Sequence, residues 1–279
     1  MTDASLELRE VRGPSALGGG RRRALDLLYL LAVTEFKRHY LGTALGYLWS
    51  LARPLMLYAV LLVVFTQAFE LGDTVRNYPV LLLFNVVLFG LFQEATSQAV
   101  GSLVSHEGVV RKTQFPRLVI PLAVVLTSLF NFAVNLVVVL GFLLAAGISP
   151  RWTWLLFGLI VGALLVLTTA TATLLSALYP RFRDTGIIWS VAVTALFYAT
   201  PVLYPLEMVS GTLARVLSVN PLTPLFELAR KWVVDPEAPG PAAAAGAVWL
   251  LVPATVFVAT CVLSVWLFNR EAPRIAEEL

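Results

Sequence analysis

The sequence is poor in the residues that build catalytic and metal centres. Of 279 residues, one is cysteine and two are histidine. Cys261 has no partner for an internal disulfide, and a lone thiol leaves the redox compartment open. His39 and His106 stand far apart, and no H-x-x-x-H or C-x-x-C spacing occurs, so a protein-ligated zinc or copper site is not expected. There is no G-x-x-x-x-G-K-[ST] loop to cradle a phosphate; Gly18, Gly19 and Gly20 lead into Arg21 without it. No serine lies in G-x-S-x-G. Adjacent acids occur only as Glu277 and Glu278, in a tail expected to be solvated. A membrane enzyme needs several convergent titratable groups at one interface, and no such set assembles.

Charge is scarce as well. Charged residues make up 13% of the chain, against about 25% in soluble domains. Hydrophobic residues make up 58%, against roughly 45–50%. A soluble globule, a disordered chain and a disulfide scaffold all fit this composition poorly. The net charge of +3 is too small to argue for a nucleic-acid partner, even with a pI near 9.2.

What the sequence does contain is long uncharged runs, and these read as membrane spans. Residues 118–150, 152–180, 185–206 and 238–269 carry no Asp, Glu, Lys or Arg. Two further spans are interrupted by one charge each, Arg53 and Glu94. The expected fold is all-α and polytopic, with six transmembrane helices over about 48–69, 79–101, 118–147, 152–178, 185–204 and 245–268. A closed barrel would need alternating segments of about 10 residues, which are missing. Basic residues orient the chain. With the N-terminus inside, the outer segments hold Arg76, Arg151, Arg215, Arg230 and Lys231, five of the 20 basic residues. Both termini are therefore expected in the cytoplasm.

Before the first span, residues 1–23 show no apolar period and read as a disordered cytoplasmic tail. Over 24–44 an apolar stripe recurs at helical spacing through Leu25, Leu28, Tyr29, Ala32, Val33, Phe36 and Tyr40. It predicts an amphipathic helix in the inner membrane interface; the alternative is the start of the first span. Residues 45–270 form the transmembrane domain and 271–279 a second cytoplasmic tail. The longest outer segment, 204–240, is half apolar. Leu213, Val216 and Leu217 suggest one short helix there, and Leu225, Leu228, Ala229 and Trp232 another. Asn220-Pro221 and Thr223-Pro224 separate the two. The halves of the chain do not mirror each other, which weakens an inverted-repeat transporter.

Charges inside spans are costly and often functional. Arg53 lies near the inner end of its helix, where it can snorkel. Glu94 falls in the inner third of the second span; both a structural and a substrate-path role stay open. Thr168, Thr169, Thr171, Thr173 and Ser176 form a small-residue face suited to close helix packing.

Four segments, in order, resemble the ABC-2 type export permeases. The first is TEFKRHYLGTALGYLWSLARPLM, residues 34–56, with Leu45, Gly46, Leu48, Trp49 and Pro54 at the matching places. The second is SLVSHEGVVRKTQFPRLVIPLA, residues 102–123, with Arg111, Lys112, Phe115, Pro116, Arg117 and Pro121. The third is YPRFRDTGIIW, residues 179–189, and the fourth runs from Thr200 to Arg230. The likeness is greatest to the branch that exports lipid-linked polysaccharides such as O-antigen, teichoic acid and galactan. Arg53 departs from the pattern, where a neutral polar residue is expected.

The resemblance implies a permease, not an enzyme, in the cytoplasmic membrane of a bacterium. It implies no cofactor in this chain, MgATP being held by a separate ATPase present in two copies. The ATPase-coupling segment would be His106, Glu107, Gly108, Val109, Arg111 and Lys112. Lys37, Arg38 and Arg53 would meet the diphosphate of a polyprenyl-linked glycan. The outer gate would comprise Pro201, Pro205, Asn220, Pro221 and Pro224. Six helices from one chain make a narrow path, so a second copy of the chain is expected, with the path at their seam. Sugars stack on aromatic rings, which makes Tyr58, Phe65, Phe89, Phe92, Trp189, Phe197, Tyr198 and Tyr204 candidates to line it; core or lipid contact is the ordinary alternative for each. The rival readings are an ABC-2 permease for a drug or small lipid, and a membrane-embedded transferase. The short link from Glu70 to Tyr78 favours the polysaccharide branch over the first rival.

Overall fold

A computed structural model describes residues 20–40, 48–108, 117–209 and 211–271. Every described element is helical, as the uncharged runs predict. Helix α1 spans Gly20–Tyr40, α2 Leu48–Gln67, α3 Leu71–Thr74, α4 Tyr78–Val100 and α5 Ser102–Ser105. The long helices α6, Val119–Ala145, and α7, Thr153–Leu178, follow. Then come α8, Thr185–Ala199, the short pair α9, Gly211–Leu217, and α10, Leu222–Ala229, and a π-turn over Arg230–Val234. The chain closes with α11, Pro241–Ala245, and α12, Leu251–Glu271.

Among the described residues, five helices are long and apolar enough to cross a bilayer: α2, α4, α6, α7 and the segment Val248–Glu271. The fifth expected span is shorter than its uncharged run. Helix α8 stops at Ala199, and Thr200 is extended ahead of Pro201. Proline disfavours helix in the residue before it, so an uncharged run and a helix need not share an end. At 15 residues, α8 covers roughly 22 Å. It still links the two ends of the bundle. Gly186, at its start, faces Tyr179 and Val100, while Asn85, near the start of α4, bonds to Pro201 and Val202 just past its end.

Helix α4 is the centre of the core. It packs against α6, α7, α2 and α8, and 17 of its 23 residues are buried. An α-helix that is apolar all round must bury all its faces in protein or lipid, and α4 does so in protein. Helix α2 is equally apolar, yet only Tyr58 among its 20 residues is buried. Leu57, Val60, Val63 and Val64 lie exposed along it. Such a surface tolerates lipid or another apolar helix and fits water poorly.

Chain ends are handled locally. Gly147 takes a positive φ after α6, and the Ile148 N–H reaches back to the Leu143 carbonyl at 3.0 Å, a closure that a β-carbon would strain. Helix α1 begins at Gly20, inside the stretch expected to be tail, and it lies against α6.

Candidate functional site

Polar side chains in this bundle are few, and each buried one must find a partner or cost the fold about 1–3 kcal/mol. Among the described residues, two clusters of them bear on the site.

The first lies at the end of the bundle that holds α5. His106 caps α5, and its Nδ1 stands 2.8 Å from the Ser102 carbonyl oxygen. Its Nε2 stands 3.3 Å from Oε1 of Glu35 on α1. Glu35, Glu94, Gln98, Val124, Thr127 and Asn131 line one small polar cavity between α1, α4 and α6. Asn131 donates from Nδ2 to Glu94 Oε1 at 2.5 Å, and Gln98 donates to the same oxygen at 3.2 Å. One turn on, Asn135 donates to the Ser50 carbonyl of α2 at 3.3 Å. Thr127 Oγ1 shares its one proton between the Ala123 carbonyl of its own helix, at 2.9 Å, and the carbonyl of Ala32, at 3.2 Å, and Ala32 is fully buried. Ala32 thus faces α6, while Leu25 and Tyr29 of the predicted stripe are exposed.

The second cluster lies at the opposite end, on the short helices. Arg230 is 5% exposed. Its Nη2 donates to Glu207 at 2.9 Å and lies 3.8 Å from Asp235, while its Nη1 stands 4.0 Å from Glu227. Glu227 accepts the Leu206 backbone N–H at 3.0 Å. Burial pushes the Glu227 carboxyl above its ordinary value of 4.5; the Leu206 N–H and the Arg230 charge pull it back down, and Glu207 pushes it up again. The cluster ties the 206–208 turn, α10 and the π-turn into one unit. Thr153 and Trp154, at the start of α7, hold that unit by donating to the Trp232 and Val233 carbonyls.

The prolines expected at the outer gate border this unit. Pro201 and Pro205 are buried, and Pro221 leads into α10, which contains Pro224. Asn220 is the connector: its Nδ2 donates to Thr200 Oγ1 at 2.8 Å, and its Oδ1 accepts the Leu222 N–H at 3.0 Å. Asn85 on α4 donates to the Pro201 and Val202 carbonyls at 3.1 and 3.2 Å, and the Tyr78 hydroxyl donates to the Leu203 carbonyl at 2.9 Å.

The eight candidate aromatics do not form one surface. Phe89, Phe92 and Phe197 are buried and pack on one another with Phe226 and Trp189, at ring separations of 5.2–6.4 Å. Trp189 donates from Nε1 to Thr96 Oγ1 at 3.2 Å. Tyr58 meets Phe142 edge-on, and Phe65 stacks on Phe69. Tyr198 is exposed, and its carbonyl accepts the Tyr204 hydroxyl at 2.9 Å. Lys37 and Arg53 are exposed on α1 and α2, while Glu107 and Gly108 follow His106 past α5. The Arg38 side chain, Val109, Arg111 and Lys112 fall outside the described residues.

Sequence reasoning left Glu35, Asn85, Asn131, Asn135, Glu227 and Arg230 without a role. Signals for them were present. Asn85 interrupts the apolar run over 79–92, Asn131 and Asn135 sit four apart on one face, and Glu227 and Arg230 sit three apart.

Residues 26–233 match the family described as ABC-2 type transporter. The chain is 32% identical over 202 residues to an O-antigen export system permease protein RfbA of Myxococcus xanthus, covering 72% of this chain and 77% of that one. It is 28% identical over 203 residues to an O-antigen export system permease protein RfbA of Klebsiella pneumoniae, with the same coverage of 72% and 77%. A polysialic acid transport protein KpsM of Escherichia coli is 22% identical over 205 residues, covering 73% of this chain and 80% of that one.

Proposed function

The chain belongs to the ABC-2 type transporter family, and from that premise we propose that it is the membrane subunit of a bacterial exporter of lipid-linked polysaccharide. The observation that carries this reading is the character of its relatives: those at 32%, 28% and 22% identity are all named for O-antigen export or polysialic acid transport. The link between α2 and α4 holds only the four-residue α3 and short turns, which leaves no room for a separate outer domain there.

In this reading two copies of the chain line a path and two copies of an ATPase drive it. Both termini and the α5 end face the cytoplasm; the Arg230 unit faces outward. The segment from His106 to Lys112 takes the push of the ATPase. The packing of α5, just before that segment, on α4, α6 and α7 supports this reading. Lys37 and Arg38 on α1 and Arg53 on α2 meet the diphosphate of the carrier lipid, for which arginine supplies two parallel donors. Pro201, Pro205, Asn220, Pro221 and Pro224 frame the outer gate, where Asn220 joins the end of α8 to α10.

The test is reconstitution with the ATPase that copurifies with this chain. Lipid-linked glycan should raise ATP hydrolysis several-fold, and R38A together with R53A should abolish that rise. Charge reversal at Glu107 or Arg111 should lower export while leaving membrane insertion intact. Stimulation by a drug or a simple lipid, with none from glycan carriers, places the chain in the other branch of the family. A bond change catalysed by the chain alone overturns the reading.

A further inference from the structure

The ring of His106 faces hydrogen-bond acceptors on both sides. A carbonyl oxygen can only accept, so Nδ1, 2.8 Å from the Ser102 oxygen, carries a hydrogen. Ser105 Oγ lies 3.1 Å from that nitrogen but spends its own proton on the Ser102 oxygen, at 2.9 Å. A neutral ring protonated at Nδ1 offers only a lone pair at Nε2. Glu35 Oε1 stands 3.3 Å from that nitrogen, and an ionised carboxylate is acceptor-only. The two would repel. The contact is attractive only with one further proton, carried by the ring as imidazolium or by the carboxyl.

We propose that His106 and Glu35 form a proton-dependent joint that couples the cytoplasmic turn after α5 to the interfacial helix α1, so that the ATPase stroke and the lipid-contacting helix move together only while that proton is held. The functional half of this statement rests on the reading of His106–Lys112 as the ATPase-facing segment; the proton in the contact does not.

The mechanical connections run both ways from the joint. On one side, Ser102 and Leu103 of α5 are buried, so the turn is rooted in the bundle. On the other, α1 is tied to α6 through Thr127 and the Ala32 carbonyl. Glu35 also borders the cavity that holds Glu94, which Asn131 and Gln98 engage from α6 and α4. A displacement of His106 thus reaches α1 through one side chain, and α1 carries Lys37 and Arg38 one turn or less beyond Glu35. The joint is half open to water, with His106 and Glu35 side chains 21% and 32% exposed, so bulk protons reach it.

Among the described residues, these titratable and charged groups lie on the elements around it. Glu35 faces the ring from α1, and Glu94 lies across the cavity on α4. Glu107 follows in sequence, and Arg117 precedes α6. Tyr179, after α7, lies beside Gly101 at the start of α5, with the Arg183 guanidinium 5.2 Å from its ring.

The chain has two histidines, so ring-15N labelling of the full-length chain with its ATPase in nanodiscs gives two imidazole sets, and H106N assigns them. At pH ~6.5 either His106 shows two protonated nitrogens, or it shows one while a 13C-carboxyl label shows Glu35 protonated. E35Q should remove the additional proton. A neutral His106 ring beside an ionised Glu35 overturns the proposal. In the reconstituted complex, glycan-lipid stimulation of ATP hydrolysis should fall several-fold from pH ~6 to pH ~9. H106R, whose charge is permanent, should hold stimulation flat across that range. The same decline in H106R and wild type overturns the coupling. A wild type that no glycan carrier stimulates at any pH overturns the transport reading instead; the ring spectra then decide the joint alone.

Discussion

The two charged clusters are built on opposite plans. The Arg230 cluster is local: its ion-pair partners Glu207, Glu227 and Asp235 all lie within 23 residues of it, and it closes on itself around one buried guanidinium. The cluster at the α5 end is long-range. His106 reaches 71 residues back to Glu35, Thr127 reaches 95 back to Ala32, and Asn131 reaches 37 back to Glu94. A local cluster staples one segment into a rigid piece. A long-range cluster joins pieces that would otherwise move separately. The first therefore answers to stability measurements and the second to coupling measurements.

The largest effect should come from breaking the staple. R230M leaves Glu227 and Asp235 buried without their cation, and removing one partner of a buried pair costs about 3–5 kcal/mol. Thermal unfolding of the purified complex should show a clear loss, with export lost as well. Unchanged unfolding would mean the outer unit is held by apolar contacts alone.

Next in size is the clamp from α4 onto the turn after α8. N85A leaves the Pro201 and Val202 carbonyls short of a donor, at about 1–3 kcal/mol. Limited proteolysis should then cut near residues 200–205 faster than in wild type.

A smaller effect separates charge from packing within the staple. Glu227 titrates above its ordinary value because burial disfavours its charged form. The folded state therefore holds that proton more tightly than the unfolded chain. Stability falls as pH rises from about 4.5 through the raised value, because the folded state binds more protons across that window. E227Q should flatten this slope and melt above wild type at neutral pH. A steeper slope in E227Q refutes the assignment.

The smallest stability change belongs to the long-range cluster. T127V removes the one hydroxyl proton shared between the Ala123 and Ala32 carbonyls, about 0.5–1.5 kcal/mol. Its unfolding should resemble wild type while glycan-stimulated hydrolysis drops. A stability loss equal to that of R230M would erase the contrast between the clusters.

Much of the fold was legible because lipid-compatible helices must be long and uncharged. The runs over 118–150 and 152–180 contain α6 and α7 within a few residues. The expected span over 185–204 ran past the helix, since hydropathy counts Pro201 and Leu203 as apolar and does not register that the backbone turns at Thr200. The site was legible in part. Asn220 and the prolines around it were marked by their local turn chemistry, and Asn220 does link α8 to α10. His106 was marked by its place in a segment that resembles the family's first cytoplasmic loop, but Glu35 was hidden, since an acid on an amphipathic helix reads as part of a solvated face.

Composition alone decided that this chain is a bundle of apolar helices: with 13% charge it lacks the polar surface a water-soluble body of this size requires. Only the tertiary structure decided which helix is the core. Helices α2 and α4 read alike in hydropathy, yet one buries a single residue and the other buries most of its residues. The reason is physical. Lipid tails are as apolar as protein interiors, so side-chain chemistry cannot tell the two surroundings apart. The polar pairs follow the same rule, because a buried carboxylate requires a partner but does not specify how far along the chain that partner lies.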